Sequence, residues 1–206
     1  MRISAILSMT CAAMLAVPPV CGAATGGQFT SFAGFKLGAV TLSQVTKELG
    51  HAVLRESGDA GGYMASVCYR TSTGVVYFLS DEMGGNKHYL LGFRLSWSAS
   101  AKSCANWPLN RPIPKLRVGG LRLGLTKAQF RDVIGTKIRW DNDVAYGDFQ
   151  TKRMMTTSEI GNLSKGAKEL VQAHKEEDYV DVTVSIAGVF KAGKLNELKV
   201  WKIESL

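Results

Sequence analysis

Apolar and polar positions along this chain change their spacing several times, and each change marks an element. In residues 41–50, apolar Leu42, Val45 and Leu49 recur at the three- and four-residue steps that put them on one helical stripe. The preceding Thr41-x-x-Gln44 is a capping box: the Thr hydroxyl accepts from the third residue's N–H while the Gln side chain reaches back. Gly50 behind it suits a left-handed C-cap. The same start, stripe and stop return as Thr126-x-x-Gln129, then Phe130, Val133 and Ile134, then Gly135, at a spacing of 85 residues. GFKLG at 34–38 and GLRLG at 120–124 read as lead-ins to these two helices. A helix of about eight residues does not hold itself together in water, so each must lie on a partner surface.

The segments behind each helix have period two. After the first helix come candidate strands 52–57, 63–71, 75–80 and 90–97; after the second, 137–141, 147–155, 179–190 and 195–204. Leu91, Phe93, Leu95 and Trp97 alternate with Gly92, Arg94 and Ser96, and Val180, Val182, Val184 and Ile186 with Asp181, Thr183 and Ser185, which is the signature of half-buried strands. Glycine-rich turns at 58–62, 72–74 and 83–86 separate those of the first half. In the second half a further capping box, Thr156-x-x-Glu159, opens a helix with Ile160, Leu163, Leu170, Val171 and His174 on one face; Gly161 and Gly166 leave open one helix or two short pieces. The predicted class is α+β: two repeats, each a short helix plus about four antiparallel strands, with an extra helix in the second. The first repeat spans 25–97 and the second 119–206. Between them 98–118, carrying Pro108, Pro112 and Pro114, reads as an irregular linker.

Residues 1–24 break this pattern. A positive Met1-Arg2 start, an apolar run from Ile3 to Val20 interrupted by Pro18-Pro19, and small Gly22 and Ala24 read as a signal peptide cleaved after Ala24 or a neighbouring residue, not as a membrane span. Cys21 lacks a lipobox, since Pro18 and Val20 occupy the positions that need Leu and a small residue. The expected location is periplasmic or secreted, with no integral membrane segment after cleavage. At 206 residues and 46% hydrophobic, the chain has apolar material for one compact unit or two small ones and is neither disordered nor fibrous. Losing Arg2 takes the 25 basic residues to 24 against 17 acidic, a net charge of +7. Of four cysteines, Cys68 and Cys104 remain, and in an oxidising compartment two cysteines most simply pair. That disulfide would staple the linker to the first sheet; a metal or catalytic thiol is the alternative, with no histidine near either in sequence.

The pattern Gly-x-x-Leu-Gly, then Thr-x-x-Gln and an apolar residue, ending in an apolar residue and Gly, resembles the SmpA/OmlA (BamE-like) domain and the tandem repeat of the β-lactamase inhibitory protein. The match covers 34–50 and 120–135 as motif and both halves as strand order. The resemblance implies short helices packed on an antiparallel sheet, and two units whose sheets lie side by side as a concave binding surface. The segment 75–95, with its Ser-Asp-Glu-Met-Gly-Gly turn, also looks like uncharacterised secreted proteins of Gram-negative bacteria.

Catalytic signatures do not emerge. His51, His88 and His174 lie far apart and lack zinc-ligand spacing. Asp141-Asn-Asp143 with Asp148 lacks the Gly and Glu that a calcium loop needs and reads as a turn. There is no Gly-x-Ser-x-Gly elbow, Walker A loop or dinucleotide fingerprint. The expectation is a non-enzyme with no catalytic, cofactor or metal residues. Lys and Arg are spread without a dense run, which speaks against nucleic acid; in the envelope the excess charge suits an acidic protein or anionic surface, or serves solubility alone. Five residues are candidates for partner binding. Asp81 and Glu82 form an acidic hairpin tip, as neighbours pointing opposite ways; Arg139, Trp140 and Tyr146 flank a loop with the residue types that dominate binding hot spots. Trp97 and Trp201 are expected in the core. The functional expectation is a periplasmic or secreted non-catalytic protein-binding module of inhibitor, immunity or envelope-assembly type, acting through a sheet face and hairpin loops. The alternatives are an envelope hydrolase with a loop-built site and a basic module binding anionic glycolipid or peptidoglycan.

Overall fold

GFKLG and GLRLG turn out to be the return strands of two small hairpins rather than plain lead-ins. A computed structural model describes residues 25–59, 61–97, 103–135, 138–173 and 178–205. The signal-peptide reading of 1–24 and the placement of His174 fall outside these. After a 3-10 turn over Gly26–Phe29, β1 (Ser31–Phe32) pairs with β2 (Phe35–Lys36). Then come α1 (Leu42–Leu49), β3 (Arg55–Ser57), β4 (Met64–Thr71), β5 (Gly74–Asp81), a second 3-10 turn over Glu82–Lys87, and β6 (Gly92–Ser96). The linker is not wholly irregular. β7 (Ala105–Asn106) adds to β4 in parallel, and Trp107 is buried with its indole Nε1 donating to the Pro112 carbonyl at 3.2 Å. β8 (Arg117–Val118) pairs with β9 (Leu121–Arg122), and α2 (Lys127–Ile134), β10 (Arg139–Asp141) and β11 (Val144–Met154) come next. Two short helices, α3 (Thr157–Asn162) and α4 (Lys165–Ala173), precede β12 (Tyr179–Lys191) and β13 (Lys194–Ser205).

Local chemistry explains these starts and stops. The turns of the two small hairpins, Ala33-Gly34 and Gly119-Gly120, have φ of 51° and 89° and of 54° and 91°. Type I′ turns need positive φ at both central residues, which glycine supplies without strain at Gly34, Gly119 and Gly120, while Ala33 adopts it as a non-glycine residue. All three predicted capping boxes close, Thr41 with Gln44, Thr126 with Gln129 and Thr156 with Glu159. The helix ends differ from expectation in one respect. Gly135 takes the left-handed C-cap (φ 62°, ψ 6°), whereas Gly50 sits at φ 89°, ψ 165°, an extended positive-φ region that is nearly glycine-only. The acid-rich Asn142-Asp143 is the tight turn between β10 and β11.

The fold is mixed α+β, dominated by a nine-stranded sheet in the order β10-β11-β12-β13-β6-β5-β4-β3, with β7 beside β4. Every pairing is antiparallel except β4 with β7. The strands before and after the linker meet at the centre, where β6 pairs with β13 and Phe93 stands opposite Val200. One apolar core runs unbroken along the inner face, from Phe78 and Phe93 through Val200 to Ile186 and Phe149. α1 seals it with Leu42, Val45 and Leu49, and α2 with Phe130 and Ile134. Phe29, from the first turn, lies tilted at 5.3 Å against Phe149 of β11, so the start of the described chain packs over its second half.

At the end of β11, Arg153 donates to the carboxylates of Glu159 and Glu204, and Lys202 also pairs with Glu204. Hydrogen bonds from Arg153 first, then from Thr156, hold the Glu159 carboxyl down at about 2. Its folded pKa lies below the unfolded value, so this stability is fully present above about pH 4.5 and is lost as pH falls through about 2. Glu159 is more than a third exposed, so solvent screening limits the effect to about 1 kcal/mol or less. Glu159→Gln should therefore lower the melting temperature slightly at pH 7 and flatten its fall between pH 4.5 and 2. Acid-melting curves that superimpose on those of the parent would remove this assignment.

Candidate functional site: the outer face of the sheet

Side chains alternate across a strand, so every second residue of the central strands points away from α1 and α2. Strand register then lines these outer residues up across the sheet. Arg139 stands opposite Tyr146, Tyr146 opposite Ala187, Ala187 opposite Lys199, Lys199 opposite Arg94, Arg94 opposite Tyr77 and Tyr77 opposite Cys68. Cations lie over rings along this row: Arg94 at 3.8 Å from the Tyr77 ring centre and Arg139 at 4.8 Å from that of Tyr146. In the adjacent row Trp201 faces Gly92, with Lys199 4.7 Å from its ring. A Cβ on Gly92 would come within 2.2 Å of Trp201 Cε3, so the indole lies against bare backbone there. The row ends at the disulfide between Cys68 and Cys104, whose Cα atoms are 5.0 Å apart, packed with Val75 and Tyr77.

The centre of this face is electrostatically unbalanced. Arg94 and Lys199 are direct cross-strand partners, and like charges so placed repel. Neither enters an ion pair among the described residues, and the buried Nε of Arg94 has no hydrogen-bond partner there. Burial first, and the Arg94 charge second, push the Lys199 amine below its ordinary value, with Glu197 and Asp81 opposing. Two partly desolvated cations flanked by aromatic rings form a receptive seat for carboxylates.

The five residues expected to bind a partner do not form one patch. Arg139 and Tyr146 meet on the outer face. Trp140 points inward, tilted at 5.5 Å against Phe190 and capped by Lys127, because it occupies the alternate position of β10. Asp81 and Glu82 lie on the far side of the sheet, five strand steps or about 24 Å away. They also do not diverge as strand neighbours would, because strand alternation stops at Asp81, whose carboxylate accepts from the Met83 N–H at 2.8 Å and caps a 3-10 turn. Both line a cleft of about 620 Å³ with Glu56, Asp59, Tyr63 and His88. There Glu82 accepts from the Gly61 N–H, and Glu56 accepts from the Tyr63 hydroxyl beside His88 Nε2 at 3.7 Å. The bond to Glu56 raises the Tyr63 pKa, keeping the phenol a proton donor. Three of the four carboxylates thus accept hydrogen bonds from the protein itself, and that of Glu82 links two turns, 61–62 and 82–87. No group of three or more His, Cys, Asp or Glu among the described residues is arranged to hold a metal ion.

Trp97 departs from the expected core position; at the end of β6 it is 47% exposed. Trp201 is buried, yet on the outer face rather than in the main core. Tyr77, Arg94, Lys199 and Trp201 do not stand out as binding residues in the sequence. The alternation of residues 91–97 already assigns Arg94 to the face opposite Phe93, but nothing local to it places Lys199 across the strand.

Fold and site together describe a mixed α+β protein with one face of a continuous sheet carrying cations and rings. No protein-family model, no curated protein and no solved structure matches the chain. No helix among the described residues is long and apolar enough to cross a membrane.

Proposed function

We propose that this chain is a periplasmic or secreted, non-catalytic protein-binding module of a Gram-negative bacterium. It is built as two related repeats and engages an acidic protein partner through the outer face of its sheet and the adjoining hairpin loops. The partner class is an envelope or secreted protein, which makes this chain an inhibitor, an immunity protein or an envelope-assembly component. Several features support the reading: the apolar leader at 1–24, the Cys68–Cys104 disulfide, and the resemblance of both hairpin-and-capped-helix segments to BamE-like and β-lactamase-inhibitory repeats. Each half runs hairpin, capped helix, four strands, and the final strands of the two halves join one sheet. The observation that carries the reading is the unpaired Arg94–Lys199 couple at the centre of that sheet, beside Tyr77 and Trp201. A partner carboxylate there would relieve the repulsion between the two cations.

The test is affinity capture from envelope and culture-medium fractions, comparing the parent protein with Arg94→Glu/Lys199→Glu. A stoichiometric partner should be retained by the parent and released by salt. The double variant should bind it at least about tenfold more weakly, about 1.4 kcal/mol, with a cooperative melting transition verifying that it stays folded. Equal capture by both proteins, or no stoichiometric partner, would overturn the reading.

A further inference from the structure

The loop that joins the two halves carries an unusual surface. Leu109 is fully exposed at 105%, Ile113 is 55% exposed, and Trp97 stands nearby. Two adjoining clefts meet at Ile113. One is lined by Lys115, Arg117 and Arg122 and the other by Arg70 and Arg111, and no acidic residue lines either. Arg117 and Arg122 are direct cross-strand partners, a second like-charge pair, and neither they nor Lys115 enters an ion pair among the described residues. Arg111 is held back at the rim by Glu48 at 2.9 Å.

The exposure is held in place. Pro108, Pro112 and Pro114 fix the backbone φ at three positions. The Trp107 indole is anchored on the Pro112 carbonyl, and the disulfide fixes the loop's start. Leu109 and Ile113 therefore project from a rigid support rather than folding back onto the protein.

We propose that this loop docks the protein on an anionic lipid bilayer, with Leu109 and Ile113 entering the interface and Lys115, Arg117 and Arg122 lying against headgroup phosphates. A soluble polyanion would engage the cations but gain nothing from two protruding aliphatic side chains. A protein partner is the weaker fit, because the most exposed apolar residue, Leu109, is of a type under-represented at protein hot spots. A yielding apolar layer beneath a negative surface rewards both halves of the pattern. These residues are separate from the Arg94–Lys199 couple, so docking and partner capture fail independently.

The experiment is co-sedimentation of the protein, purified as the cell delivers it, with vesicles of 30% phosphatidylglycerol in phosphatidylcholine, and with pure phosphatidylcholine vesicles. Binding is expected to the anionic vesicles alone, falling at least about tenfold for Leu109→Ser/Ile113→Ser and for Arg117→Ser/Arg122→Ser. Lys152→Ser/Lys165→Ser removes the same charge elsewhere and should leave binding near the parent level. All these positions are exposed, so folding is preserved, and matching melting curves verify it. Three outcomes overturn the proposal: no binding to anionic vesicles, equal binding to phosphatidylcholine, or full binding by Leu109→Ser/Ile113→Ser. The last, with polyphosphate competing for the parent protein, would assign the loop to a polyanion. An acidic protein captured through Leu109 and Ile113, without vesicle binding, would assign it to a protein.

Discussion

Replacing Phe78 with alanine is expected to lower the free energy of unfolding by about 3–5 kcal/mol. Phe78 is fully buried at the middle of β5, where four other rings surround it. Phe35, Tyr69 and Phe93 meet it edge-on at 5.3, 6.1 and 6.0 Å, and Phe32 lies tilted at 6.3 Å. Tyr69 itself is pinned by a hydrogen bond to the Gly50 carbonyl at 2.7 Å, and burial pushes its phenol up to about 12. Such a cluster cannot collapse into the space a phenyl ring leaves, so transfer and cavity costs add. Urea denaturation measures the loss directly; a drop below about 1 kcal/mol would show that the cluster is not the packing centre of the first half. The neighbouring Tyr77→Ala gives the contrast. Tyr77 points to the outer face, so its truncation should cost far less stability while weakening partner capture.

Breaking the Cys68–Cys104 bridge should destabilise the protein by about 4 kcal/mol in the chain-entropy model. The two residues are 36 apart in sequence, so the bridge removes considerable freedom from the unfolded chain. It ties β4 to the start of the linker, a segment otherwise held to the sheet by the two-residue β7 and by the bond from Arg55 to the Ser103 carbonyl at 2.8 Å. For a chain of this size the loss corresponds to a fall in melting temperature of roughly 8–16 °C. Melts with and without reductant provide the measurement, and Cys68→Ser/Cys104→Ser should melt at the reduced temperature whether or not reductant is present. A parent protein whose melting shifts by less than about 2 °C on reduction would contradict the loop-closure account. Since the same bridge fixes the start of the Leu109 loop, reduction should also weaken any vesicle binding.

The parts of the fold readable from sequence are those with a period long enough to register. Both capped helices and all eight long-path strands lie within a few residues of their predicted places, because a stripe of Leu42, Val45 and Leu49, or an alternation from Val180 to Ile186, is a local fact about neighbours. The hairpins at 31–36 and 117–122 escaped, since two-residue strands have no period to detect. β7 escaped because a parallel partner 36 residues earlier leaves no mark on Ala105-Asn106. Tryptophan positions were the least predictable. Trp97 and Trp140 occupy the inner-face parity of their strands, yet Trp97 lies at a strand end where the core runs out, and Trp140 reaches Phe190 from an edge strand.

Helix caps and strand periods are properties of residues close together in the chain, and the count of cysteines and the excess of positive charge are properties of composition, so all of these were legible in the amino-acid order. The site was not. Arg94 and Lys199 are far apart in sequence and become neighbours only because β6 and β13 pair at the centre of one sheet, in a register that faces Phe93 with Val200 on the inner side. A slip of one residue would send every side chain of β13 to the other face. It is the burial of Leu198 and Val200 in the shared core that sets this register, and with it the pair of cations on the opposite surface.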